Sequence, residues 1–236
     1  MQLEYCLASD VQAFGQQQLS QLRDQYQSFE EAAQGFARNI YTTFVQDDGS
    51  PAFALVRVFR ISPFEDLLPE LQAMADRQTD YWVTLMGTFG DEGAWCDRYQ
   101  SQDHQVFPAR ADVTPMLKAA FEQMNLSPGQ KLGAEDAAVA FQGDEYFKRH
   151  FHIENAVDSP SIPAQDFVRR DQIKSVAGIG SPFLSGASYM LLLFARIQIS
   201  KEAIRKLIEL GPYASTLLAI FDGQQALWGQ LNQSLV

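Results

Sequence analysis

Cysteine and histidine are scarce in this chain of 236 residues, which has two of the first, Cys6 and Cys96, and three of the second. Two distant thiols build no disulfide framework and no zinc-ligand spacing, and they suit a reducing cytoplasm. Positive charge is also short. Eighteen Lys and Arg stand against 29 Asp and Glu, for a formal charge of −11. A surface of that sign repels phosphate backbones, so binding to nucleic acid or to an anionic membrane is not expected. Long hydrophobic runs are missing. The longest, Tyr189 to Ala195, falls well short of the roughly 20 residues that a membrane span needs. The opening MQLEYCLASD carries no basic stretch ahead of an apolar run, as a secretory signal would. These absences predict a soluble cytoplasmic protein.

Catalytic signatures are missing too. No G-x-S-x-G elbow occurs, so a hydrolase triad has no support. Gly178-Ile179-Gly180 begins a G-x-G pattern, but Phe183 stands where the third glycine of a dinucleotide fingerprint would be, and no Lys-Ser/Thr pair follows. Those glycines read instead as places where the chain turns tightly or approaches the sheet closely. The carboxylate pairs Asp47-Asp48, Asp91-Glu92 and Asp144-Glu145 lie in loops and read as solvated turns. No enzyme is expected.

What the chain does have is a hydrophobic fraction of 46%. That is enough for one large globular domain, or one domain with a helical extension. Residues 8–38 look helical. Ser9 or Asp10 can cap the start, and Val11, Phe14, Leu19, Leu22 and Tyr26 recur at roughly helical spacing. This opening is either the first helix of the fold or a dimerisation helix. Asn39 to Val45 is rich in β-branched and aromatic residues and reads as a strand, paired as a hairpin with FALVRVFRI (Phe53–Ile61) across QDDGSP. A helix is predicted from Pro63 to Gln78 and a buried strand from Tyr81 to Thr88. Thr114 and Pro115 mark the start of a helix to Met124. Strands follow at Val139–Phe141 and Tyr146–Ile153, then an ordered loop or short helical turn over 155–166. The last strands are Ile173–Ile179 and Tyr189–Ile197. Ser200 caps a terminal helix in which Pro212 predicts a kink or restart. The pattern is α+β: a largely antiparallel central sheet flanked by helices, with an N-terminal helical extension.

Five segments occur in order: GAWCDRYQSQDHQVFP, PMLKAAFEQMNL, HFHIENAVDSPSIPAQDFV, IKSVAGIGSPFLSG and LLLFARIQIS. Together they resemble the GAF-like sensor domain found ahead of bacterial histidine-kinase modules. The resemblance covers about residues 40–222. It implies a GAF/PAS-like sheet flanked by helices, a small-molecule pocket on one sheet face, and parallel dimers through terminal helices. It divides the chain into a helical segment (1–38), a sensory domain (39–222) and a tail (223–236). No kinase motif follows the last helix, so output is expected through another protein, a histidine kinase or response regulator of a two-component system. Where a Gly-Gly turn is expected in the family, this chain has Gly178-Ile179-Gly180-Ser181-Pro182. Cys96 is followed by Asp97, without the His that follows a tetrapyrrole-binding cysteine in some GAF sensors. Cys96 is therefore an ordinary half-buried thiol or a redox sensor.

His150 and His152 share a face if they lie on a strand. They read as structural or pocket-lining residues, or as part of a metal site that would need further ligands. Aromatic residues cluster in the middle of the chain: Tyr81, Trp82, Phe89, Trp95, Tyr99, Phe107, Phe141, Tyr146, Phe147 and Phe151. They make either a plain core or the wall of an apolar pocket. On the pocket reading, Trp95, Arg98, His104, His150 and His152 border the ligand site. No cofactor is named by the sequence. The expectation is a stand-alone cytoplasmic sensory domain, a homodimer that binds an unidentified small molecule and relays it to a signalling partner. The alternative is an adaptor with no ligand site.

Overall fold

The stretch FALVRVFRI forms the middle of the sheet, and its two arginines point to opposite faces, as their odd spacing requires. It belongs to β1 (Phe53–Pro63). The other strands are β2 (Tyr81–Gly90), β3 (Val106–Pro108), β4 (His150–Ile153), β5 (Ser175–Pro182) and β6 (Ser188–Ala195). The computed structural model describes residues 1–75, 79–101, 104–110, 112–130 and 148–229. Several expectations therefore lie outside the described residues: the strand at Val139–Phe141, the beginning of Tyr146–Ile153, the Asp144-Glu145 pair, and the placement of Phe141, Tyr146 and Phe147. Among the described residues the strands form one six-stranded sheet in the order β3-β2-β1-β6-β5-β4, with every neighbouring pair antiparallel.

The helices are α1 (Ala8–Gln25), α2 (Phe29–Thr43), α3 (Pro69–Met74), α4 (Pro115–Met124), α5 (Gln165–Arg170), α6 (Lys201–Leu207) and α7 (Gly211–Gly223). The fold is α+β, with a central antiparallel sheet flanked by helices and an N-terminal helical extension. One sheet face is covered by α1, α2, α6 and α7, whose apolar residues join Val56, Val58, Tyr189, Leu191 and Leu193 in one core. On the other face α4 and α5 pack with Leu55, Phe59, Met190, Leu192 and Phe194 in a second core. The alternation along β6, and along β1 from Leu55 onward, thus feeds two cores, which is why these strands read as nearly continuous apolar runs.

The expected strand at Asn39–Val45 is helical instead as far as Thr43. Its β-branched and aromatic content suggested a strand, but Phe29, Ala33, Phe36 and Ile40 continue one buried helical stripe, and tertiary burial decides. Among the described residues a single isolated bridge, Val45 with Pro51, remains of the expected hairpin, and Val45 also bridges Gln2 at the N-terminus. The turn itself forms, with Gln46 N–H donating to the Ser50 carbonyl at 2.7 Å and Gly49 at φ +83°. α2 lies so close on β2 that a Cβ on Gly87 would come within 2.4 Å of the Ala33 backbone. Pro212 acts as a restart. A 3-10 turn over Ile208–Leu210 separates α6 from α7, and Pro212 sits in the first turn of α7. The Gly178–Gly180 stretch is extended within β5, and the turn to β6 comes later, at Gly186 with φ +92°.

Arg60 is the most deeply buried arginine among the described residues, 2% exposed. Its Nε and Nη2 donate to Asp222 Oδ1 at 3.0 and 2.7 Å, and its Nη1 lies 2.8 Å from Asp66 Oδ2. Asp222 Oδ2 in turn accepts from Ser185 Oγ at 2.6 Å. The network ties β1 to α7 and to the β5–β6 turn.

Candidate functional site

Between the second sheet face and its covering elements lies a cavity of about 480 Å3. Its floor comes from β1 and β6: Leu55, Arg57, Phe59, Met190, Leu192 and Phe194. Thr114, Met116, Leu117 and Ala120 of the α4 segment form one wall. Ile162, Pro163, Ala164, Phe167 and Arg170, leading into and through α5, form another. The loop after β2 closes the third side with Glu92, Trp95 and His104, and Phe107 of β3 completes it. The volume lies within the roughly 300–1,000 Å3 of small-molecule sites, and the lining is mostly aromatic and aliphatic with a few polar groups.

Local chemistry explains how each wall is set. The Thr114 hydroxyl accepts from Leu117 N–H at 3.0 Å and starts α4 at the cavity edge. Gln165 braces the approach to α5, with Nε2 donating to the carbonyls of Ala156 at 3.1 Å and Ile162 at 2.9 Å. Trp95 meets Phe167 edge-on at 5.8 Å between centroids, and Phe167 meets Phe194 at 5.4 Å. At the polar end, Arg57 Nη2 donates to Ser101 Oγ at 3.2 Å and Nη1 lies 3.4 Å from His104 Nδ1. At the rim, Arg170 pairs with Glu92 at 3.0 Å and with Asp171 at 2.8 Å, and its guanidinium carbon sits 5.8 Å over the Trp95 ring.

The five sequence-predicted site residues divide into three groups. Trp95 and His104 line the cavity. Arg98 lies on the other side of the same loop, 4% exposed, ion-paired with Glu30 of α2. His150 and His152 alternate along β4 with Phe151 and Ile153, which belong to the cavity-side core, so both histidines face the opposite side of the sheet. There His152 Nε2 lies 2.8 Å from the Ile199 carbonyl oxygen, and burial holds its imidazole below the ordinary value near 6.5. Among the described residues, no group of three or more His, Cys, Asp or Glu side chains is placed to hold a metal ion. Sequence reasoning passed over Arg57. Its signal was available: a charged residue inside FALVRVFRI, a strand apolar enough to be buried on both faces, demands a specific partner or ligand.

A larger hollow of about 660 Å3 lies between the N-terminal residues, the Gln46–Asp48 turn and α6, but Glu4, Asp47, Asp48, Lys174, Glu202 and Lys206 line it and no aromatic ring does. Its polar, open character suits water better than an organic ligand. Among the described residues, no helix is long and apolar enough to cross a membrane.

No family model and no curated protein matches this chain. Among solved structures it is similar to the Stigmatella aurantiaca phytochrome photosensory core module, wild type, at 12% identity with a TM-score of 0.41, over 91% of this chain and 37% of that one. The functional reading therefore rests on this chain's own geometry.

Proposed function

We propose that this protein is a GAF-like sensory domain that binds a small molecule in the cavity beneath α4 and α5 and relays its occupancy to a signalling partner. The observation that carries the reading is the cavity itself. An apolar chamber of about 480 Å3, floored by the central strands and supplied with Arg57 and His104 at one end, is left unfilled by the side chains of the described residues. Native cores are close-packed, so a chamber of this size in the middle of a sheet face needs a use. The ligand suited to these walls has an apolar or aromatic body and one hydrogen-bond acceptor directed at the Arg57–His104 end. The adaptor alternative calls for a filled core and an exposed apolar patch, whereas the exposed large apolar residues among those described are Tyr5 and Leu7 ahead of α1 and the dispersed Met74, Tyr99, Val157 and Leu184. The proposed partner is a histidine kinase or response regulator, and the proposed assembly is a homodimer through the helices of residues 8–38 and 200–221.

The test is native mass spectrometry of the purified protein, followed by titration with dodecanoate as a probe with an apolar tail and an acceptor head. The wild type is expected to carry a co-purified molecule or to take up dodecanoate. The Ala120→Trp variant, which fills the cavity from α4, is expected to do neither while keeping its circular dichroism. A wild type that carries nothing and binds nothing overturns the reading. A concentration-independent monomer mass in solution overturns the homodimer.

A further inference from the structure

We infer that the loop after β2 is a strap that carries the state of the cavity around the edge of the sheet to the C-terminal segment 226–229. The inference rests on the cavity being the ligand site and names how that site is read.

β3 and the residues beside it bond β2 from the Tyr81 carbonyl to the Leu85 N–H, so the rest of β2, from Met86 to Gly90, forms the margin of the sheet. The strap wraps that margin. On the cavity face it supplies Trp95 and His104. On the opposite face it supplies Arg98, whose Nε donates to Glu30 Oε1. Between the two, Gln34 of α2 closes the edge of β2 as another strand would: its Nε2 donates to the Thr88 carbonyl at 2.8 Å and its Oε1 accepts from Thr88 N–H at 3.1 Å. The same Nε2 reaches the Cys96 carbonyl at 3.0 Å. The strap is internally bonded, with Cys96 N–H on the Gly93 carbonyl at 3.1 Å and Ser101 N–H on the Asp97 carbonyl at 3.1 Å. A segment bonded in this way moves as a body, so a push on Trp95 reaches Arg98.

Arg98 ends in a junction with the C-terminal segment. Its guanidinium carbon lies 4.9 Å from the Trp228 ring centroid and 4.1 Å from that of Tyr99. Glu30 Oε2 accepts from Gly229 N–H at 2.9 Å. The first N–H groups of α2, which have no partner within the helix, are satisfied by the same segment: Phe29 N–H donates to the Ala226 carbonyl at 2.7 Å and Glu30 N–H to the Leu227 carbonyl at 3.1 Å. Glu30 therefore holds the strap with one carboxylate oxygen and the C-terminal segment with the other. Arg98 Nη2 has no hydrogen-bond partner among the described residues. The guanidinium is seated partly by ring stacking, and stacking can re-form in a shifted position. Release of the segment returns the Phe29 and Glu30 N–H groups to water, and what it must overcome is the burial of Leu227, 6% exposed, and the Trp228 Nε1 donation to the Asp66 carbonyl at 3.0 Å. The relay is a shift between the docked and the released segment.

The exchange rates of the Phe29 and Glu30 amides report the docking of the segment directly, because their acceptors among the described residues, the Ala226 and Leu227 carbonyls, lie in it. Two perturbations fill the cavity: saturating dodecanoate on the wild type, and Ala120→Trp with no ligand. Each is expected to push Trp95 outward and to speed exchange at Phe29 and Glu30 by about fivefold or more, the lower end of ordinary coupling. Arg98→Lys keeps the charge for Glu30 but loses the planar stack on Trp228, and is expected to abolish the response. Coupling is reciprocal, so Trp228→Ala is expected to tighten dodecanoate binding by a similar factor. Unchanged exchange at both amides in the Ala120→Trp protein overturns the strap, whether or not dodecanoate binds. Failure of dodecanoate and of any co-purified molecule to bind, with the Ala120→Trp response intact, overturns the ligand reading and leaves the strap standing. A full response in Arg98→Lys shows that the signal travels elsewhere and also overturns the strap.

Discussion

Replacing Asp222 with alanine removes the better buried of the two carboxylates around Arg60. In the Arg60–Asp222 pair both side chains are 2% exposed, whereas Asp66 is 22% exposed. Breaking a buried pair by deleting one partner costs about 3–5 kcal/mol, because the remaining charge stays buried without compensation. Here Asp66 stays at 2.8 Å and offsets part of that penalty. The expected loss for Asp222→Ala is therefore about 2–4 kcal/mol. At this chain length a loss of that size lowers the melting temperature by roughly 4–16 °C. Asp66→Ala, at a more solvated site, is expected to cost about 1 kcal/mol. The double variant Arg60→Met, Asp222→Leu removes both charges and is expected to recover most of the loss, since apolar replacements of a buried pair are often neutral. Urea unfolding at neutral pH measures all three, provided the slope of the transition is unchanged. Equal costs for Asp222→Ala and Asp66→Ala would refute the reasoning, because burial would then not be what gives the Asp222 contact its weight.

Three further outcomes follow from the same coordinates. Gly87→Ala places a Cβ 2.4 Å from the Ala33 backbone and is expected to destabilise by about 1–3 kcal/mol, while Gly93→Ala, with nothing within 4 Å, is a control expected within about 0.5 kcal/mol of wild type. Thr114→Ala removes the cap of α4 and is expected to cost about 1 kcal/mol by denaturant titration, a little of it returning if water replaces the hydroxyl. The third concerns pH and His152, whose imidazole is held below 6.5 chiefly by burial, the hydrogen bond to Ile199 opposing the shift. The unfolded chain then takes up a proton before the folded one does. Stability from this residue is full above the unfolded value and is lost as pH falls from there through the lower folded value. His152→Gln is expected to flatten that part of the profile; a urea midpoint that falls just as steeply in the variant shows that another group is responsible.

Much of the architecture was legible because local signals and burial agreed. Thr114 before Pro115 marks the start of α4 where the structure has it, and Ser200 caps α6 by accepting from Ala203 N–H at 3.1 Å. The apolar stretches at β2, β5 and β6 were long enough to identify as buried strands. Where two signals disagreed, the local one lost. Asn39–Thr43 has strand-forming residues, but its Ile40 completes a stripe begun at Phe29, and burial against β2 rewards the helix. Three-residue β3 was not visible, since a strand of that length has no period to detect.

The site was legible in its materials and not in its assembly. The run SPSIPAQDFV drew attention as a motif, and Ile162, Pro163, Ala164 and Phe167 from it form one cavity wall. Trp95 and His104 reach the same cavity from a loop. Arg98 and the two histidines looked equally suitable by residue type, yet one loop and one strand direct them elsewhere. For His150 and His152 the reason is register: Phe151 and Ile153 fill the cavity-side core, and alternation then sends both imidazoles to the other face. For Arg98 the reason is a partner 68 residues away, Glu30, and for Arg60 a partner 162 residues away, Asp222. Pairings at such separations have no sequence period, so one sequence marks the charges as buried without saying what meets them. That distinction also separates the parts of the molecule that are free to move. Arg60 is locked by two carboxylates, Asp222 of α7 and Asp66 in the turn after β1, so α7 resists displacement from the sheet. Arg98 has a single carboxylate, which it shares with the C-terminal segment, and two rings. For a ligand pushing beneath Trp95, the Arg98 junction, with one shared carboxylate, is a weaker anchor than the two carboxylates on Arg60.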